Sequence, residues 1–197
     1  MNNLTSFYFY HNSKSNTLDV ILCGGSYGID TDFMQKVFTH SKEKGNGVIL
    51  FNFPYFERGE EHSSGEELLE ELETLQKMLD VAGYKNYKKI RLIAKSLGGI
   101  VASFCLDKLP KSEHDKFEII ILGFVVGSPK LNNFTGKITI IQGQKDKFGG
   151  IEAVKKELIN AKSKNIRFIE IPNANHSFKD AKTDKPAYED IAINSID

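Results

Sequence analysis

The chain has 197 residues, enough for one domain with a sizeable core, and 40% apolar against 26% charged residues exclude a disordered chain. Lysine plus arginine balance aspartate plus glutamate at 26 each, so no net field favours nucleic acid or an anionic membrane. Two cysteines, Cys23 and Cys105, are too few for a disulfide framework or a zinc site. No segment has the makings of a signal peptide or a membrane span, so a cytoplasmic protein is expected.

In chain order, the first strand is expected at Leu4 to Tyr10, an edge by its polar surroundings, and the second at Leu18 to Cys23. A helix over about Thr31 to Lys44 leads to a strand at Gly47 to Phe53. Ser64 to Ala82 carries the clearest helical period, with Leu68, Leu69, Leu72, Leu75, Met78, Leu79 and Ala82 on one stripe. Ser64 with Glu67 reads as its capping box and Gly83 as its C-terminal stop. A strand at Lys89 to Ala94 and a helix at Leu97 to Leu109, closed by Pro110, come next. Strands at Phe117 to Val126 and Lys137 to Ile141, a helix at Gly150 to Ala161, a strand at Ile166 to Ile171 and a helix near Pro186 to Ile196 complete the chain.

Most of these strands are continuous apolar runs, the pattern of strands covered on both faces. The expected fold is therefore α/β: a mostly parallel sheet of about seven strands, helices on both faces, in a single domain over residues 1–197.

The stretch Ile90-Arg-Leu-Ile-Ala-Lys-Ser-Leu-Gly-Gly reads as strand, tight turn and helix, with Ser96 at the apex. Ala94 and Gly98 are small enough for the turn to pack, and the Leu97 N–H at the helix start can stabilise a developing oxyanion. Ala94 stands where G-x-S-x-G has glycine, and a serine that merely caps the helix would read the same way in isolation. Asp146 follows the Lys137 strand in a glycine-bracketed loop, and His176 follows the next strand. Parallel strand ends converge on one edge, so the three residues can meet. Serine needs a base to take its proton, histidine suits that role, and a carboxylate fixes the imidazole tautomer. The order Ser, Asp, His then points to a nucleophile, acid and base.

These motifs, Ala94-Lys-Ser-Leu-Gly-Gly, Gln142-Gly-Gln-Lys-Asp and Asn175-His-Ser-Phe, resemble the α/β-hydrolase superfamily from about Leu18 to the C-terminus. The nearest likeness is to the small, lid-poor members related to dienelactone hydrolase. Those enzymes use a cysteine nucleophile where this chain has Ser96, so fold and reaction type carry over and the substrate does not. Gly24-Gly25-Ser26-Tyr27-Gly28 occupies the place of the family's oxyanion loop, without its histidine. Ser26 is the expected second backbone donor and Gly25 its alternative.

Only Gly127 to Gly136 separate two strands where many relatives insert a lid, so an open, shallow site is expected. Arg58 and Lys95 lie on the same sheet edge as candidate contacts for an anionic substrate, the alternative being solvated rim charges. His11, His40, His62 and His114 fall in polar loops or helix ends and receive no role. The expected activity is hydrolysis of a small ester, thioester or amide without metal or organic cofactor, the partner being a small-molecule acyl substrate. A non-catalytic binding module and a small serine peptidase are the competing readings.

Overall fold

In the computed structural model, which describes residues 5–60 and 62–197, all seven strands form on the apolar runs above. Leu4, the expected start of the first strand, lies outside the described residues. The elements run β1 (Phe7–Tyr10), β2 (Thr17–Leu22), α1 (Asp32–Glu43), β3 (Gly47–Phe51), α2 (Pro54–Glu57), α3 (Leu69–Val81) and β4 (Lys89–Lys95). There follow α4 (Leu97–Lys108), β5 (Phe117–Leu122), β6 (Lys137–Gly143), α5 (Ile151–Glu157), β7 (Ile166–Ile171) and α6 (Glu189–Asn194). The strands form one 7-stranded sheet in the order β1-β3-β2-β4-β5-β6-β7. β1 pairs antiparallel with β3 and every other pairing is parallel, as expected of an α/β chain with one edge strand.

Alternation along each buried strand divides the core. Val20, Leu92, Ile119, Ile121 and Ile140 pack on one face against α3, α4 and α5 through Leu75, Met78, Val101, Leu106 and Val154. Ile21, Ile93, Ile120 and Ile141 pack on the other against α1 and α6 through Phe33, Met34, Val37, Ala192 and Ile193. Coverage of both faces explains why these strands are continuous apolar runs.

Several boundaries differ from expectation. Helix α3 starts at Leu69 rather than Ser64, because Gly65 (φ 107°) and Leu68 (φ 54°) turn the chain out of helical geometry first. Ser64 still caps this region, but with Glu71 in place of Glu67: its N–H and hydroxyl both donate to the Glu71 carboxylate. Leu69 is consequently off the apolar stripe and 55% exposed. β5 ends at Leu122, four residues before the expected Val126, where Gly123 (φ 80°) bends the strand away. Helix α2 was not expected, since its four residues, Pro54–Glu57, are too few to show a period.

Topology also sets where a site can form. β2 and β4 are neighbours, yet the connection from β2 runs through α1 to β3 on one side and that from β4 through α4 to β5 on the other. The segments after β2 and β4 therefore diverge, leaving a crevice at the C-terminal sheet edge. Segment 123–136, between β5 and β6, contains no helix, so the crevice has no lid there.

Candidate active site

Ser96 occupies the turn between β4 and α4 with φ 51° and ψ −116°, a backbone region that non-glycine residues rarely adopt. Its N–H donates to the Leu122 carbonyl of β5 at 3.1 Å, which pins the turn to the sheet. The sheet and α4 thus impose this conformation, and glycine would relax it. Ser96→Gly should release about 1–3 kcal/mol of backbone strain, more than the entropy glycine adds to the unfolded chain. In urea unfolding it should therefore have a higher midpoint than Ser96→Ala, which removes the hydroxyl and keeps the strain; a lower midpoint would contradict the strained turn.

The turn closes on the loop after β2 without room to spare. A Cβ on Gly24 would stand 2.1 Å from the Lys95 carbonyl oxygen and 2.8 Å from the Leu97 nitrogen, and one on Gly98 would stand 2.6 Å from the Leu22 carbonyl oxygen. The bond from the Tyr27 N–H to the Gly24 carbonyl (3.2 Å) closes a turn with Gly25 and Ser26 at its centre. Among the described residues the N–H groups of Gly25, Ser26 and Leu97 donate to no protein acceptor, which leaves donors from both segments beside Ser96. Both expected loop donors, Ser26 and its alternative Gly25, line the cavity.

Ser96, His176 and Asp146, separated by tens of residues, come together here. Ser96 Oγ lies 2.8 Å from His176 Nε2, and His176 Nδ1 lies 2.7 Å from Asp146 Oδ2. A carboxylate can only accept, so Nδ1 carries the proton in the neutral imidazole and Nε2 is left to accept from the Ser96 hydroxyl. Burial holds the His176 pKa below the usual 6.5; the bond to Asp146 opposes that shift, while the charges of Lys95 and Lys147 add to it.

Gln142 was missed in the sequence. Buried at the end of β6, it donates from Nε2 to Asp146 Oδ2 (2.9 Å) and to the carbonyls of Phe124 (3.1 Å) and Gly149 (2.6 Å). The Phe148 N–H donates to Asp146 Oδ1 at 2.8 Å, so both carboxylate oxygens are held. A glutamine ending the otherwise apolar run Ile138-Thr-Ile-Ile was the available signal. Phe148 also packs edge-on against His176, with ring centroids 4.7 Å apart.

Ser96 and His176 open into a cavity of about 360 Å³ whose walls include Ser26, Tyr27, Lys145, Lys147 and Phe148. Arg58 is not among its lining residues, and its guanidinium is paired with Glu60 (2.7 Å) and Glu70 (2.8 Å). Lys95 does sit beside Ser96, but as a buried side chain with 0% exposure, neither a solvated rim charge nor an open anion contact. Of the histidines given no role, His114 is buried against Thr135 rather than in a polar loop, and none lines the cavity. Among the described residues no group of three or more His, Cys, Asp or Glu side chains is placed to hold a metal ion.

A two-sided α/β sheet with a serine, histidine and aspartate gathered at its C-terminal edge defines the architecture of a lidless α/β hydrolase. A family model described as an alpha/beta hydrolase domain matches residues 17–196, and the chain belongs to that family. No curated protein matches. Among solved structures, Est1E from Butyrivibrio proteoclasticus is similar at 14% identity over 98% of this chain and 91% of that one, with a TM-score of 0.71. XC6422 from Xanthomonas campestris, described as an a/b serine hydrolase without lid, is 14% identical over 98% of this chain and 85% of that one, at a TM-score of 0.71. The Pyrococcus furiosus esterase Pf2001 is 15% identical over 87% of this chain and 77% of that one, at 0.65. At such identities the likeness speaks for the fold.

Proposed function

We propose that this protein hydrolyses small carboxylic esters through a covalent acyl-enzyme on Ser96. The observation that carries the reading is the continuous relay from Ser96 Oγ through His176 to Asp146, at 2.8 and 2.7 Å. In the first step the Ser96 oxygen bonds to the ester carbonyl carbon and its proton passes to His176 Nε2. The carbonyl oxygen, now negative, is met by the Leu97 N–H and by that of Ser26 or Gly25. On collapse the carbon–oxygen bond to the alcohol breaks and His176 returns the proton to the leaving oxygen. Water then repeats the sequence on the acyl-enzyme, freeing the acid and restoring the Ser96 hydroxyl. Ester substrates are favoured over other acyl compounds because one similar structure is an esterase from Pyrococcus furiosus and another, Est1E, holds ferulic acid. Cytoplasmic residence is part of the same reading, in keeping with Cys23 and Cys105 as free thiols.

The test is a panel of activated esters of increasing acyl length, assayed from pH 4.5 to 8.5. kcat/KM should rise with pH through one ionisation below 6.5, since His176 must be neutral to accept the proton and burial holds its pKa down. Activity is therefore lost as pH falls through that value. Absence of turnover across the panel, or a profile flat down to pH 4.5, would contradict the reading.

The cavity also carries a charge preference, though not from Arg58 or Lys95. Among the described residues its solvent-facing cations are Lys145 and Lys147, and no Asp or Glu side chain lines it. An ester whose acyl part ends in a carboxylate should have a kcat/KM about 5-fold higher than its neutral analogue at low salt. The preference should vanish in the double variant Lys145→Gln, Lys147→Gln; equal rates for the two esters in the native protein would remove this selectivity.

A further inference from the structure

Lys95 is the most unusual side chain near the site. It immediately precedes Ser96, has no exposed surface, and forms no ion pair among the described residues. Its Nζ donates to one protein acceptor, the main-chain carbonyl oxygen of His176, at 2.9 Å. Two aromatic faces flank the amine, with ring centroids of Tyr27 and Phe178 at 5.5 and 5.6 Å. Gly123 leaves the space that amine and imidazole share: a Cβ there would fall 2.9 Å from His176 Cε1 and 3.1 Å from Lys95 Nζ. A buried ammonium without a carboxylate is expensive, and methionine would fill the same volume with no such penalty. What methionine cannot do is hold the histidine's carbonyl.

We propose that Lys95 is a positioning residue for the general base: its buried amine ties the His176 loop to the nucleophile turn and fixes the imidazole over Ser96. This rests on the hydrolase reading above. Because Lys95 and Ser96 are adjacent in the chain, the bond couples the placement of base and nucleophile directly. Asn175 shapes the loop locally, its Oδ1 accepting from the Ser177 and Lys179 N–H groups and its N–H donating to the Lys179 carbonyl, and the Lys145 N–H to Ala174 carbonyl bond (2.8 Å) and the Asn173 N–H to Gln144 Oε1 bond (3.1 Å) tie it to the segment after β6. Those ties reach the acid side; apart from the Ser96–His176 contact itself, the bond from Lys95 is the one that joins the loop to the end of β4 among the described residues.

The amine also acts through its charge. Burial brings the Lys95 pKa down to about 7, with Asp146 opposing, so the amine is protonated throughout the acid limb of activity. The charged groups acting on His176 are Asp146, Lys95 and Lys147, and the two lysines both disfavour the imidazolium. Removing Lys95 therefore takes away one force that keeps the base neutral.

The experiment compares the native protein with Lys95→Met on an activated ester. The variant should lose about 10-fold or more in kcat with KM within about 2-fold, and its acid limb should move to higher pH. A side chain that only fills space would leave the limb where it is, so unchanged kcat and an unchanged limb in a folded variant would overturn the proposal. If Lys95→Met does not fold, NMR on the native protein with ¹³C-labelled lysine decides. One lysine should show contacts from its ε-protons to the His176 ring; the lack of such contacts would overturn the proposal. That measurement needs no turnover, so it separates this inference from the hydrolase reading, which falls if the native protein shows no Ser96-dependent hydrolysis.

Discussion

Replacing Ser96 with alanine should lower kcat by at least about 10³-fold while leaving the fold intact. The size follows from the arrangement: Ser96 Oγ is the atom aligned with His176 Nε2, and deleting it leaves base and acid with nothing to activate but water. What persists is binding and the oxyanion donors, whose contribution over uncatalysed hydrolysis is smaller. Stability should change little. Alanine removes one partly buried hydrogen bond, worth about 1 kcal/mol, and the Ser96 N–H bond to Leu122 belongs to the backbone and survives. Steady-state rates on the best ester, with a thermal melt of both proteins, check the two halves. Retention of more than a tenth of the activity would move the nucleophile elsewhere, and loss of the fold would mean that the hydroxyl is chiefly structural.

Gly24→Ala is expected to be the most damaging single-methyl change near the site. Its Cβ would meet the Lys95 carbonyl oxygen at 2.1 Å, the Gly98 nitrogen at 2.7 Å and the Leu97 nitrogen at 2.8 Å. All three are backbone atoms of the nucleophile turn, so no side-chain rotation can relieve the contact, and either the loop after β2 or the start of α4 has to move. The loss should be about 3 kcal/mol in urea unfolding, at the upper end for overpacking. Hydrolysis should fall with it, because the same displacement separates the loop donors from Leu97. Gly25→Ala is the control: φ is 60°, but nothing lies within 4 Å of the added Cβ, so only backbone strain of about 1–2 kcal/mol is incurred. If the two variants unfold at the same urea concentration, the tight closure at Gly24 is wrong.

The sheet was legible because both of its faces are covered. Runs such as Ile119-Ile-Ile-Leu are short and β-branched, which marks a strand rather than a helix, and their ends, set by turns such as Gly123, are where the reading slips. Ser96, Asp146 and His176 could be read because each follows a strand that parallel pairing carries to the same edge. Lys95 could not. A lysine beside a turn is ordinarily solvated, and nothing local reveals that the His176 loop, 81 positions away, will close over it. Arg58 shows the converse: its acidic partners Glu60 and Glu70 stand nearby in the sequence, but the sequence alone does not show that both take up its guanidinium. Gln142 was hidden for a third reason, since the apolar run it ends reads equally well as a strand whichever residue terminates it.

The proposed function requires Ser96 to be a nucleophile activated by His176 and Asp146. Its most direct test is intact-mass and peptide analysis after treatment with a fluorophosphonate, in the native protein and in His176→Ala. The native protein should gain one adduct, on Ser96, at a rate that falls as the solution is acidified, and His176→Ala should react at least about 10²-fold more slowly. An adduct on another residue, no adduct, or equal rates in the two proteins would contradict it.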